Sequence, residues 1–320
     1  MDVVVTGSAG FIGQHLVGLL LVRGHQVIGI DRRPRPDDGT HPHLVTDLSA
    51  PAGAARAALA AADVVVHLAG CPGVRDGRPD VGRHRYRDNV AALRETLALV
   101  RADASTVVTS SSSVYGGTAF GRASHEDDVV APRGGYARSK VLAEAVCAQA
   151  QARGARITVV RPFTVVGEGQ RADMALYRWV RAARRGAPLT VLGSLERTRD
   201  LTDVRDAVRV LADLAVLAPG RIPSGIPSGV PSGIPSGIVN LGSGQPISLR
   251  QMVSAVAEVT STRPTVRVTA AGDEEVSDTL ADTGRLVDLT GRRLVTDLLD
   301  VVNRVDASID HDPRLLLATG

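Results

Sequence analysis

An α/β doubly wound sheet is the fold that this sequence predicts, and three observations predict it. Short β-branched apolar runs alternate with helical patterns through the first half of the chain. The N-terminal run passes directly into a glycine-rich turn and then a helix, and an acid closes the second run. Alternation of this kind yields parallel strands joined by right-handed helical crossovers.

Taken in order, residues 2–6, 26–31, 43–46, 63–68, 106–110 and 156–161 read as strands. Several are apolar throughout, as parallel strands buried on both faces must be. Residues 11–23, 52–61, 83–101 and 136–154 read as the intervening helices. Beyond about residue 166 the pattern changes, with helices expected at 174–185, 203–217 and 249–260 and a strand at 238–241. The predicted division is a Rossmann-like dinucleotide-binding domain over 1–166, with returns near 200–217 and 238–245, and a smaller α/β substrate lobe over 167–320. Within that lobe, 222–237 repeats Ile-Pro-Ser-Gly four times, with Val230 in one isoleucine position. Proline on that period blocks a helix and weakens strand pairing, so the repeat is expected as a surface loop.

Composition narrows the function. At 320 residues, 44% hydrophobic and 22% charged, the chain can bury a large core. Aromatics are only 2%, so that core must be built of Val, Leu, Ala and Ile. Net charge is +3 and the arginines are scattered, which argues against a nucleic-acid-binding face. Cys71 and Cys147 have neither metal-site nor redox spacing, so no metal is expected. No apolar run reaches the roughly 18 residues a membrane span needs, and the expected location is the cytoplasm.

The first run ends in Thr6-Gly7-Ser8-Ala9-Gly10-Phe11-Ile12-Gly13. Glycines here permit a tight turn, let the backbone approach a pyrophosphate and pack helix against strand. The helix then offers unpaired N–H groups and its positive dipole end to that pyrophosphate. Asp31, at the end of strand two, is placed to accept hydrogen bonds from the adenosine ribose. Arg32 and Arg33 would suit a 2′-phosphate, but Asp31 would repel one, so NAD is favoured over NADP. Asp47 and Leu48, after strand three, are candidates for the adenine, with Asp47 equally readable as a helix cap. Leu68 and Ala69, closing strand four, complete the predicted cofactor wall.

Lys140 is the chain's single lysine although Lys and Arg together number 37. An ammonium is a compact point charge, whereas a guanidinium is a planar fork. Tyr136, one of four tyrosines, lies four residues earlier and so on the same helix face. A phenol is a poor base at neutral pH; a neighbouring ammonium and an oxidised nicotinamide would both favour the phenolate.

The glycine turn, the serine run Ser110-Ser111-Ser112-Ser113 before Val114-Tyr115-Gly116, and Tyr136-x-x-x-Lys140 resemble the extended short-chain dehydrogenase/reductase family. Within it the chain is similar to nucleotide-sugar epimerases and dehydratases. The resemblance runs from Val3 to about Val301. It implies Ser111, Tyr136 and Lys140 as the catalytic group, with Lys140 also holding the nicotinamide ribose. Phe163-Thr164-Val165-Val166-Gly167 and Gln170-Arg171-Ala172-Asp173-Met174-Ala175 resemble the corresponding stretch of UDP-glucuronate 4-epimerases. That implies Ser112, Ser113 and Thr164 around the sugar carboxylate, Arg171 near the sugar nucleotide, Arg199 on the diphosphate and Asp273 on the uridine ribose. The 4,6-dehydratases carry an Asp-Glu pair where Ser112 and Ser113 stand, so elimination has no acid and base here.

Departures from the family pattern fall at Val166, Glu168, Ala172, the Gly193-Ser194-Leu195 turn and Ala270. Ala270 stands for a diphosphate-binding arginine, whose loss removes a contact worth about 1.5–3 kcal/mol. The expectation is an NAD-dependent UDP-glucuronate 4-epimerase, homodimeric through the 83–101 and 136–154 helices. The alternatives are a nucleotide-sugar 4-ketoreductase or decarboxylase, and a degenerate dinucleotide-binding homologue.

Overall fold

The structure is a computed structural model and describes residues 1–35, 39–73, 77–118, 122–216 and 237–310. The Ile-Pro-Ser-Gly repeat lies outside those residues except for its final Gly237. The first half runs β1 (Asp2–Thr6), α1 (Phe11–Val22), β2 (Gln26–Asp31), β3 (His43–Val45), α2 (Gly53–Ala61), β4 (Val64–His67), α3 (Val81–Tyr86), a π-turn (Arg87–Ala91), α4 (Ala92–Leu99), β5 (Ser105–Thr109), a 3₁₀ turn (Ser112–Tyr115), α5 (Gly134–Gln151) and β6 (Arg156–Pro162). The second half runs β7 (Thr164–Val166), α6 (Ala175–Arg184), β8 (Leu189–Leu192), β9 (Thr198–Asp203), α7 (Val204–Val216), β10 (Gly237–Leu241), β11 (Pro246–Ser248), α8 (Leu249–Val259), β12 (Val266–Thr269), α9 (Gly284–Thr290) and α10 (Leu298–Ile309).

Seven strands form one sheet in the order β10-β6-β5-β4-β1-β2-β3. Every pairing in it is parallel. This confirms the doubly wound α/β class. Strand order reverses between β1 and β4, and the C-terminal ends of those two strands form the crevice where open sheets of this type bind ligands. Val3, Val5, Val64, Val66 and Val107 pack one sheet face against α1 and α7, with Leu16, Leu20, Val208 and Leu211 buried between. Val4, Ile30, Leu59 and Val65 fill the opposite face beneath α2. Branched aliphatics suffice for both layers, as the scarcity of aromatics required.

The expected helix over 83–101 is not continuous. A π-turn interrupts it at Arg87–Ala91, and the physical reason lies in Asn89. Its buried carboxamide accepts from Cys71 N at 2.7 Å and donates to Ser139 Oγ at 2.8 Å. Widening the turn by one residue brings Asn89 inward to satisfy those partners, a use typical of π-bulges at functional sites.

Beyond β6 the chain builds a second apolar cluster. Trp179, Val180, Leu189, Leu201, Met252, Val256, Val301 and Val305 pack α6, α8 and α10 with β8 and β9. β7 and β9 pair in parallel, matching Thr164 with Leu201, and antiparallel β11 extends them. β8 pairs with β12 in a separate two-stranded sheet. Helix α8 opens on a capping box in which Ser248 and Gln251 satisfy each other's backbone amides.

Candidate active site

The dinucleotide crevice is set by close backbone approaches. Gly7 has φ +69°, and a Cβ there would fall 2.7 Å from Ala69 N and 2.8 Å from the Leu68 carbonyl carbon. A Cβ on Gly13 would collide with the Gly7 carbonyl oxygen. The turn can therefore sit beneath the end of β4 and lead straight into α1, leaving the first amides of that helix facing the crevice. Phe11 and Ile12 follow as partly buried packing for α1.

Asp31 is buried at the end of β2. Its carboxylate accepts from Ala9 N at 3.1 Å and from Arg33 N at 3.0 Å. Arg33 folds back to donate to Ala9 O at 2.9 Å. Arg32 instead donates to Asp88 at 2.6 Å, from the π-turn. Burial would raise the Asp88 carboxyl, but Arg87 and Arg32 outweigh it and hold it below the usual carboxylate range. Asp47 accepts from Ser49 N and Ser49 Oγ at 2.9 and 2.8 Å, closing its own turn rather than capping α2. Leu48 is buried in the core under β3 and β2, with Ala69 packed against the same cluster.

Lys140 is buried on α5 and donates from Nζ to Thr109 O, the last residue of β5, at 3.0 Å. Asn89 lies against the same corner: a Cβ on Gly70 would meet Asn89 Oδ1 at 2.6 Å and Lys140 Nζ at 3.6 Å. Tyr136, one helical turn back, is half-buried. It follows two glycines because neighbours fill the space beside them. Glu274 packs on Gly134, and the buried Arg85 packs on Gly135 while donating to Gly73 O at 2.7 Å.

Ser111 caps the 3₁₀ turn that leaves β5, its Oγ accepting from Ser113 N at 3.1 Å. Ser112 and Ser113 begin that turn, and the buried Ser113 Oγ has no hydrogen-bond partner among the described residues. A buried hydroxyl in that state is costly unless a ligand completes it. Thr164 opens β7 and is half-buried. Next to the site, His67 is buried with Nδ1 3.0 Å from Thr6 Oγ1 and Nε2 unpartnered. Burial first, and then the Lys140 charge, push its imidazole down to about 3, so it is neutral.

The substrate-side arginines are held differently. Arg199 donates to the carbonyls of Thr198 and Ser277 at 2.8 Å and of Val276 at 2.9 Å, with Glu275 at 3.8 Å. It fixes the loop that carries the exposed Asp273. Arg171 makes a two-pronged pair with Asp173 at 2.9 and 3.0 Å on the surface. Asp200, beside Arg199, is fully buried and accepts from Ser243 N and Oγ, Gly244 N and Ala281 N. Burial raises its carboxyl despite those four donors. Sequence reasoning gave no role to Asp200, Asn89 or Arg85, whose partners lie well away from them along the chain.

A parallel sheet with a glycine turn at its switch point, and a Tyr–Lys helix beside a serine-rich strand end, define an enzyme that moves hydride to and from a bound dinucleotide. Residues 3–221 match the NAD dependent epimerase/dehydratase family, and the chain belongs to it. It is 31% identical to the uncharacterized UDP-glucose epimerase YtcB of Bacillus subtilis, over 94% of this chain and 95% of that protein. It is 30% identical to a probable UDP-glucuronate 4-epimerase of Rhizobium meliloti, over 91% and 92% of the two chains. Among solved structures it is similar to MoeE5 in complex with UDP-glucuronic acid and NAD, with 33% identity, a TM-score of 0.83, and 97% and 99% of the two chains covered. The chain is thus an NAD-dependent epimerase of the extended short-chain dehydrogenase/reductase type. The Gly7–Gly13 cradle and buried Asp31 fit that cofactor. Among the described residues, no cluster of His, Cys, Asp or Glu is arranged to hold a metal, and no helix is long and apolar enough to cross a membrane.

Proposed function

We propose that this protein interconverts UDP-glucuronate and UDP-galacturonate by epimerisation at C4. The observation that carries this reading is the run Ser111-Ser112-Ser113 leading out of β5, with the Ser113 hydroxyl buried and unpartnered. Ser112, Ser113 and Thr164 suit a carboxylate that must be released and rebound as the sugar turns over. Several neutral hydrogen bonds let go more readily than one ion pair. The likeness to MoeE5, solved both with UDP-glucuronic acid and with UDP-glucose, supports a UDP-hexose substrate.

The Gly7–Gly13 turn and Asp31 would hold NAD, which when bound would supply the hydride acceptor and donor for C4. The chain's own residues handle the proton and the geometry. Tyr136 takes the proton of the 4-hydroxyl as the carbonyl forms, and gives it back after the 4-keto sugar has rotated. Lys140 stands one helical turn away as the neighbouring cation, and Ser111 donates to the reacting oxygen. Arg171, Arg199 and Asp273 are assigned to the sugar nucleotide, with Arg199 acting from its place beneath the 273–278 loop. Residues 1–166, with the returns at 200–217 and 238–245, would bind the dinucleotide, and 167–320 the nucleotide sugar.

The same reading places the protein in the cytoplasm as a two-fold dimer. Exposed Tyr86 on α3 and Leu142 on α5, 49% and 50% accessible, lie on the two helices assigned to that contact. The direct test is to incubate the purified protein with NAD and UDP-glucuronate and to resolve the two uronic acids chromatographically. Interconversion is expected. If only UDP-glucose and UDP-galactose are interconverted, the carboxylate assignment is wrong. If a 4-keto sugar consumes NADPH stoichiometrically, the enzyme is a reductase.

A further inference from the structure

One buried polar cluster lies just behind the catalytic residues and is used by no step above. Its centre is the pair between Glu144 on α5 and Arg161 on β6. Arg161 is 2% exposed and grips the carboxylate with both prongs, Nε to Oε1 at 3.0 Å and Nη2 to Oε2 at 2.8 Å. Ser110 Oγ donates to the same Glu144 Oε1 at 2.5 Å. Arg161 Nη1 continues to Tyr115 OH at 2.9 Å and to Glu126 O at 3.1 Å, and Tyr115 OH donates to Asn240 Oδ1 at 2.7 Å.

The placement of these groups has a direct bearing on the chemistry. Glu144 is one turn beyond Lys140 and two beyond Tyr136 on the same helix. Ser110 immediately precedes Ser111, and its other neighbour, Thr109, supplies the carbonyl that receives Lys140 Nζ at 3.0 Å. Two adjacent residues at the end of β5 are thus tied to two residues one turn apart on α5. Arg161 lies three residues before Thr164 and ties in β6. Burying a charged pair gives little net stability compared with apolar packing, so its presence here calls for another role.

We propose that Glu144 is a positioning residue of this enzyme, resting on the epimerase reading above. Held by Arg161, it clamps the Ser110 end of β5 against α5 and sets Ser111, Tyr136 and Lys140 in register. Catalysis of this kind is sensitive to displacements of about 1 Å, which can cost roughly 100-fold in rate.

The test uses the full-length, NAD-loaded protein and two single variants. Ser110→Ala removes only the hydroxyl that meets Glu144, and Glu144→Gln keeps the shape but weakens the grip of Arg161. Rates are measured per NAD-loaded site, on UDP-glucuronate and on UDP-glucose. Both variants are expected to lose about tenfold or more in kcat with KM changed by less than about threefold. The combined variant should lose much less than the product of the two, because both changes break one clamp. A kcat within about twofold of the parent in Ser110→Ala, with only Tm lowered, would overturn the proposal and leave the pair as core structure. If the parent turns over UDP-glucose but not UDP-glucuronate, the sugar assignment fails, and the clamp is judged on UDP-glucose.

Discussion

Replacing Lys140 with arginine is the sharpest test of why one lysine persists in a chain otherwise supplied with arginine. The charge is kept, so a purely electrostatic role would survive. Room is limited: Lys140 is buried, its Nζ already donates to Thr109 O at 3.0 Å, and Asn89 lies against the same Gly70 corner. A guanidinium adds heavy atoms in a corner bounded by those groups, and overpacking of that kind costs about 1–3 kcal/mol. If the strain is relieved by swinging the cation away from Tyr136, the same energy appears in the barrier as a loss of about 5- to 150-fold in kcat. The assay is uronic-acid interconversion by Lys140→Arg beside the parent, each normalised to bound NAD, with Tm recorded for both. A variant that folds normally and turns over within twofold of the parent would refute the steric argument. It would show that any cation at this position serves.

Two further outcomes follow from the same geometry. Ser113→Ala should leave stability unchanged or slightly raised, since it deletes a buried hydroxyl that has no partner. It should also raise KM for UDP-glucuronate by about tenfold, as expected for one hydrogen bond to a charged group, with KM for UDP-glucose unmoved. Equal effects on the two sugars would remove Ser113 from the carboxylate site. For His67, the folded value lies near 3, whereas an unfolded histidine takes its proton below about 6.5. Only the unfolded chain binds that proton through the interval, so stability falls as pH drops from about 6.5 towards 3. From pH 6 to pH 4 this amounts to about 2–3 kcal/mol. Urea unfolding at those two pH values should show the loss in the parent and a flatter dependence in His67→Asn. Equal slopes would mean that other groups dominate acid unfolding.

Much of the fold was legible because its signals are local. Val3–Val5, Val64–Val66 and Val107–Val108 are runs that only a twice-covered parallel strand explains, and the Gly7–Gly13 turn follows the first at once. The Tyr136–Lys140 pair could be read because helical spacing brings the two together without any tertiary information. The second half was less legible. Strands of three or four residues, such as β7, β8, β11 and β12, are too short to carry a period, and their pairing depends on contacts distant in sequence. The π-turn was hidden because nothing in Arg87–Ala91 breaks a helical pattern; the cause lies at Cys71 and Ser139. Arg199, assigned by resemblance to a phosphate, also holds the backbone at Val276 and Ser277. Its local sequence contains no hint of that loop. Asp200 and Glu144 went unread because their partners, Ser243 and Ala281 for one and Ser110 and Arg161 for the other, lie far from them along the chain.

The inserted residue at Asn89 makes the helix unusually sensitive to length. Removing a single position between 87 and 91 would restore ordinary α winding there, since the wide turn exists to absorb one extra residue. The backbone would stay helical, but the carboxamide would leave Cys71 and Ser139. A one-codon deletion there should therefore be far more damaging than any conservative exchange nearby.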